Sequence, residues 1–160
     1  GVGALIPAAG GPPETRTEDT LLLSGLAMAG ANQRDLPGDE DGVLTAEEIA
    51  ALDLSGVEWA VLSACDSGVG EVSVREGIFG LQRAFRIAGA RTVIMSLWAV
   101  DDEAAREWMA ALYRAHLVEG LATAEAVRRA SLDILAARRS RGASVHPSSW
   151  APFVASGDGR

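Results

Sequence analysis

The residues best equipped for chemistry in this sequence surround Cys65, the only cysteine among 160 residues. It ends the uncharged run Trp59-Ala-Val-Leu-Ser-Ala64 and is followed by Asp66-Ser-Gly-Val-Gly70. An apolar run that stops at two closely spaced glycines reads as a sheet strand ending in a tight, exposed turn. Open α/β sheets build their sites at that end of their strands. A thiol presented there becomes a nucleophile once a neighbouring base or positive charge makes it a thiolate. The plain alternative is a lone cysteine packed as a small hydrophobe, and the glycine-flanked turn favours the reactive reading.

A thiol nucleophile calls for a base, and the chain offers only His116 and His146. His116 falls late on an expected helix, where histidines are ordinarily structural. His146 precedes Pro147 in a loop. Neither follows a buried strand, so the sequence points to a base outside this chain.

Two other groupings resolve to ordinary roles. Asp39-Glu-Asp-Gly42 with Glu48 has the spacing of positions 3, 5, 6 and 12 of a calcium loop. Position 1 would then be Pro37, which has no side-chain oxygen, and no strong helix enters the loop. No metal and no cofactor is expected. Arg128, Arg129, Arg138, Arg139 and Arg141 gather near one helix end, where cations suit the dipole and the solvent face.

The elements that must position Cys65 follow from pattern. Leu21 to Ala31 reads as a buried strand with a bend at Ser24-Gly25. Thr45-Ala-Glu-Glu48 opens a short helix as a capping box. After the Cys65 strand, Ile78, Leu81, Phe85 and Ala88 recur at helical spacing, and Gly89 stops that helix. Thr92-Val-Ile-Met-Ser-Leu-Trp98 is a second uncharged strand suited to the centre of a parallel sheet. Asp101 or Asp102 caps a helix carrying Ala105, Trp108, Met109 and Leu112 that ends near Gly120. A further helix spans about Thr123 to Arg138. His146-Pro147 and Trp150-Ala-Pro-Phe-Val154 predict an extended edge segment whose aromatics pack back on the sheet. The order is that of one α/β domain over residues 1–160. Residues 10–20 and 34–42 read as surface loops, and 156–160 as a disordered tail.

Composition narrows the classes of function. With 22 acidic against 14 basic residues, the formal net charge is -8, which disfavours nucleic acid and anionic membranes. Every apolar run is interrupted before the roughly 18 to 20 residues of a membrane helix. A single cysteine suits a reducing, cytoplasmic compartment. The chain begins at Gly1 without methionine, and the expectation is that further residues belong upstream.

Val61-Leu-Ser-Ala-Cys65, Gly68-Val-Gly70, Glu76-Gly-Ile-Phe-Gly-Leu-Gln-Arg-Ala-Phe85, Ala88-Gly-Ala90, Ser96-Leu-Trp98 and Val100-Asp-Asp102 stand in one ordered series. So do Ser24 to Asn32, Gly42 to Ile49 and His146-Pro-Ser-Ser-Trp-Ala-Pro-Phe153. The series resembles the C-terminal portion of a CHAT domain, a caspase-like peptidase module related to caspases and separase and usually found after tetratricopeptide repeats.

That resemblance implies a three-layer αβα sandwich with a mostly parallel central sheet, its first strands lying upstream of this chain. It implies a cysteine endopeptidase acting on a protein substrate, with Cys65 as nucleophile. The family's base, a histidine in an Ala-Thr-His-Gly motif, has no counterpart here and would lie just before residue 1, in an N-terminal part of the same protein. The Cys65 N–H and the N–H of Gly1 would form the oxyanion hole. Asp66, Ser67, Trp98 and Asp102 would border the substrate pocket, an acidic Asp66 or Asp102 favouring a basic residue before the scissile bond. Helix or turn capping is the alternative for both aspartates. The competing function is a non-catalytic CHAT-like interaction module that docks on helical repeats.

Overall fold

In the computed structural model the described residues are 3–5, 24–29, 31, 42–63 and 71–159. They fall into two units, Gly1–Glu58 with Ala64–Arg91, and Trp59–Ser63 with Thr92–Arg160. Helices and strands alternate in an α/β fold. The expected loops 10–20 and 34–41 lie outside the described residues.

The first unit holds three short strands, β1 (Gly3–Leu5), β2 (Gly25–Ala27) and β3 (Val43–Thr45), as an antiparallel sheet in that order. The strand expected over Leu21–Ala31 is thus three residues long in its described part. Gly25 pairs with both Leu5 and Thr45. A Cβ there would approach the Leu44 carbonyl oxygen to 3.0 Å, so glycine lets the middle strand close on its neighbour.

Thr45 ends β3 and begins α1 (Ala46–Ala50). Its hydroxyl accepts from Glu48 N–H at 3.2 Å, while Glu48 Oε2 accepts from Thr45 N–H at 2.8 Å. This is the reciprocal cap expected from the sequence, and it satisfies two orphan donors. The helix stops at Ala51, ahead of the expected Leu54-Ser-Gly56. Beyond it, Asp53 Oδ1 accepts from Ser55 Oγ at 2.6 Å and Ser55 N–H at 3.1 Å. The Ser55 hydroxyl, then its N–H, hold the Asp53 carboxyl below its ordinary value. An NMR titration is expected to place Asp53 below the usual aspartate midpoint, and Ser55→Ala to move it upward. Because the folded value is the lower one, this turn's contribution is present above the unfolded midpoint and fades as pH falls through the folded one. An Asp53 midpoint unchanged by Ser55→Ala would remove the hydroxyl from the explanation.

α2 (Glu71–Ile87) buries Ile78, Leu81 and Ala84 on one face, as the three-and-four spacing requires. It ends in a Schellman turn, with Ala90 N–H on the Phe85 carbonyl at 3.0 Å and Gly89 N–H on that of Arg86 at 3.1 Å. Gly89 has φ 104°, and a Cβ there would meet Ser55 Cα and N, both at 3.0 Å. Gly89→Ala combines left-handed strain with a backbone clash and is expected to destabilise the protein by about 2 kcal/mol. A loss below about 0.5 kcal/mol in chemical denaturation, the range of ordinary surface changes, would contradict this account.

In the second unit β4 (Trp59–Leu62) pairs in parallel with β5 (Thr92–Ser96), Leu62 opposite Met95. On its other side β5 pairs antiparallel with β6 (Phe153–Gly157), Ser96 opposite Phe153. The described three-stranded sheet is therefore mixed, where the sequence suggests a mostly parallel one. All five β5 residues are buried. β4 is only half-buried, because among the described residues it is an edge of this sheet.

α3 (Asp102–Tyr113) runs into a π-type turn, Arg114–Val118, and α4 (Thr123–Ser140) follows. Trp108, Leu112, Ala126, Ala130 and Ile134 face Ile94 and Phe153 in one apolar cluster. Phe153 stacks on Trp108 with ring centroids 4.5 Å apart, the return of tail aromatics onto the core that two prolines and an aromatic run suggest. Residues 156–159 depart from the expected disordered tail. Ser156 and Gly157 belong to β6. The Asp158 carbonyl accepts from Thr92 Oγ1 at 2.6 Å and that of Gly159 from Ala124 N–H at 3.2 Å. Composition undervalues this tail because backbone pairing to β5 asks nothing of its side chains.

Candidate active site

β4 and β5 run in the same direction, so their exits lie side by side at one end of the sheet. β4 exits through Leu62 to the exposed Ser63. Cys65 follows two residues later. Cys65, Asp66, Ser67 and Gly1 lie outside the described residues. β4 starts at Trp59 as expected.

β5 exits at Ser96, two residues before the expected end at Trp98. Leu97 N–H then donates to the Pro152 carbonyl at 2.8 Å, carrying the pairing with the incoming β6 segment one step further. Trp98 is half-buried, and its indole N–H donates to the Ser148 carbonyl at 3.2 Å. That donor is engaged with the protein's own backbone. Asp101, with Oδ1 accepting from Glu103 N–H at 3.0 Å and Ala104 N–H at 3.2 Å, is the cap of α3. Asp102 is the first residue of the helix. Its side chain is exposed and makes no hydrogen bond or ion pair among the described residues. Of the two aspartates the capping reading thus belongs to Asp101. The exit end of β5 thereby carries a half-buried indole and, at the following helix start, an available carboxylate.

The histidines occupy opposite ends of this unit. His116 lies in the π-type turn, its Nδ1 2.8 Å from the Leu121 carbonyl, which takes a proton from it. Its ring packs tilted against Trp59, with centroids 4.2 Å apart and planes at 37°. Trp59 opens β4, so His116 sits about 13 Å of strand rise from the exit at Ser63. Its place is structural, as expected from a helix-face histidine. His146 caps the short 3-10 turn Pro147–Ser149. Ser148 N–H donates to its Nδ1 at 3.3 Å. The tie from Trp98 to Ser148 brings this turn to the exit end of β5, a proximity the sequence does not reveal. A Pro in the first turn position with Ser two residues after a histidine is the signal that could have shown the turn itself.

The remaining groupings have local explanations. Glu48, the last oxygen donor of the apparent calcium loop, is engaged in the α1 cap. Arg128 pairs with Glu125, Arg129 with Asp133 and Glu119, and Arg141 with Glu107. The Asp133 hydrogen bond, then its charge, hold the Arg129 guanidinium above its ordinary value. Both partners of each pair are at least a third exposed, and such pairs contribute little to stability. No helix among the described residues is long and apolar enough to cross a membrane.

Comparison with known proteins agrees with the ordered motifs. The family model described as CHAT domain matches residues 13–158. The chain is 33% identical over 144 residues to human tetratricopeptide repeat protein 28, and 34% identical over 120 residues to the mouse protein of that name. These alignments cover 90% and 75% of this chain but only 6% and 5% of the relatives.

Proposed function

This chain belongs to the CHAT domain family, and we propose that it is the C-terminal part of a caspase-like cysteine endopeptidase module. The observation that carries the reading is the parallel pairing of β4 with β5. It sets the exit leading to the single thiol beside the exit leading to Trp98 and Asp102.

In this reading Cys65 attacks the carbonyl carbon of a peptide bond. A histidine upstream of residue 1 takes the thiol proton and returns it to the leaving amine. The Cys65 N–H and the N–H of Gly1 hold the oxyanion; each such donor contributes about 3 to 4 kcal/mol to the transition state. Water then releases the acyl group from sulfur. Asp66 and Ser67, next to the nucleophile in sequence, and Trp98 and Asp102 are the substrate-binding residues of this reading. The available carboxylate of Asp102 supports a preference for a basic residue before the scissile bond. The name shared by the relatives supports a parent polypeptide in which tetratricopeptide repeats precede this domain. The reaction runs without a metal or cofactor.

The test is cleavage by the parent polypeptide, including the segment upstream of Gly1. The substrate is a pool of fluorogenic tetrapeptide amides covering every residue before the cleaved bond. Cleavage that is lost in Cys65→Ala and strongest after Arg or Lys is the expected result. Equal cleavage by both forms would rule out Cys65 as nucleophile. A second reading, a non-catalytic module docking on helical repeats, is favoured by Leu117 and Val118, which stand 71% and 78% exposed on the π-type turn. Under that reading Leu117→Asp with Val118→Asp weakens association with the repeats, and Cys65→Ala changes nothing.

A further inference from the structure

His146 is an exposed side chain with a fixed base, at the end of the sheet where β4 and β5 exit. Its backbone is held as well: Arg138 Nε donates to the Ser144 carbonyl at 2.6 Å, and His146 N–H to Ser144 Oγ at 3.3 Å. The Trp150 indole N–H donates to the Val145 carbonyl at 2.9 Å. Trp98 adds a tie from the β5 exit loop to the turn.

The ring's protonation follows from its partners. His146 Nδ1 accepts Ser148 N–H and lies 2.8 Å from Ser148 Oγ. A nitrogen accepting a backbone N–H carries no proton, so the proton of the neutral ring sits on Nε2. Nε2 makes no hydrogen bond among the described residues, and the side chain is exposed. The turn therefore supplies one outward N–H donor at the exit end of the sheet.

Resting on the peptidase reading, we propose that His146 is a substrate-binding residue. Its Nε2–H donates to a backbone carbonyl of an extended peptide laid across the exits of β4 and β5. Besides the place of its ring in the proposed pocket, which Trp98→Phe keeps, Trp98 is a positioning residue whose indole N–H pins the turn bearing His146 through the Ser148 carbonyl. A donor to a peptide carbonyl recognises an extended backbone whatever its side chains, so it sets affinity along the peptide and leaves residue preference to Asp102.

The experiment uses the parent polypeptide and the best-cleaved member of the fluorogenic pool. His146→Asn keeps a side chain that caps helical turns well but removes the Nε2 donor. KM is expected to rise about 3- to 10-fold, with kcat within twofold, as for one lost hydrogen bond. Trp98→Phe keeps a ring and removes the indole N–H. It is expected to raise KM about 3-fold alone, and not further in the His146→Asn background, since it acts through that residue. Wild-type KM in His146→Asn with a raised KM in His146→Ala would show a capping role only and overturn the proposal. A full Trp98→Phe effect in the double variant would overturn the positioning role. Absence of Cys65-dependent cleavage by the wild type would instead overturn the peptidase reading, and this inference with it. Thermal midpoints of all variants within a few degrees of wild type exclude misfolding as the cause.

Discussion

Cys65→Ala in the parent polypeptide is expected to lower kcat by about 10⁴-fold or more while leaving substrate affinity within about 3-fold. The asymmetry follows from the chemistry. Catalytic groups that act as one unit lose nearly everything when the nucleophile goes, and what remains is the contribution of binding and oxyanion donors. In the proposed reading the binding surface is made by other residues, Trp98 and Asp102 at the β5 exit among them. Cys65→Ser keeps a hydroxyl but loses the easily formed thiolate, and is expected to fall close to the alanine variant. A Cys65→Ala variant retaining a tenth of the wild-type rate would remove the thiol from the mechanism.

The largest expected effect on stability is at Trp108. Its side chain is 1% exposed, it stacks on Phe153, and its indole N–H donates to Ser131 Oγ at 3.1 Å. It joins α3 to both β6 and α4. Trp108→Ala removes the largest fully buried side chain among the described residues, and such truncations cost about 3 to 5 kcal/mol. In a chain of this size that is a fall in Tm of about 6 to 20 °C. Trp108→Phe keeps most of the apolar volume and is expected to lose about 1 to 3 kcal/mol, chiefly the hydrogen bond and part of the packing. Chemical denaturation of the three forms checks the order. A Trp108→Ala loss below about 1 kcal/mol would mean the core is organised elsewhere.

Much of this architecture is legible in the residues because single local causes dominate. The Thr45–Glu48 cap, the Gly89 stop, the β5 strand and the three-and-four spacing of α2, α3 and α4 each depend on neighbours within one turn or one face. What the sequence hides comes from partners far along the chain. The tie of the Trp98 indole N–H to the Ser148 carbonyl, 50 positions away, leaves no local signal in the sequence. The tail reads as disordered until Thr92 and Ala124 donate to its carbonyls. The choice between Asp101 and Asp102 as cap needs backbone angles that two adjacent aspartates do not encode. The family, by contrast, is legible because its motifs lie in order along the chain and the family model matches 13–158.

The pairing of β5 with β6 has a consequence for biosynthesis. The strand at the centre of the described three-stranded sheet is synthesised some 57 residues before its last partner, Phe153–Gly157. At bacterial or eukaryotic elongation rates of about 5 to 20 residues per second, that interval lasts about 3 to 11 seconds. Throughout it one side of an uncharged strand offers unpaired N–H and C=O groups, a template for pairing with other chains. A nascent chain stalled before residue 153 is thus the form of this protein most in need of a chaperone, and the final five-residue strand ends that exposure.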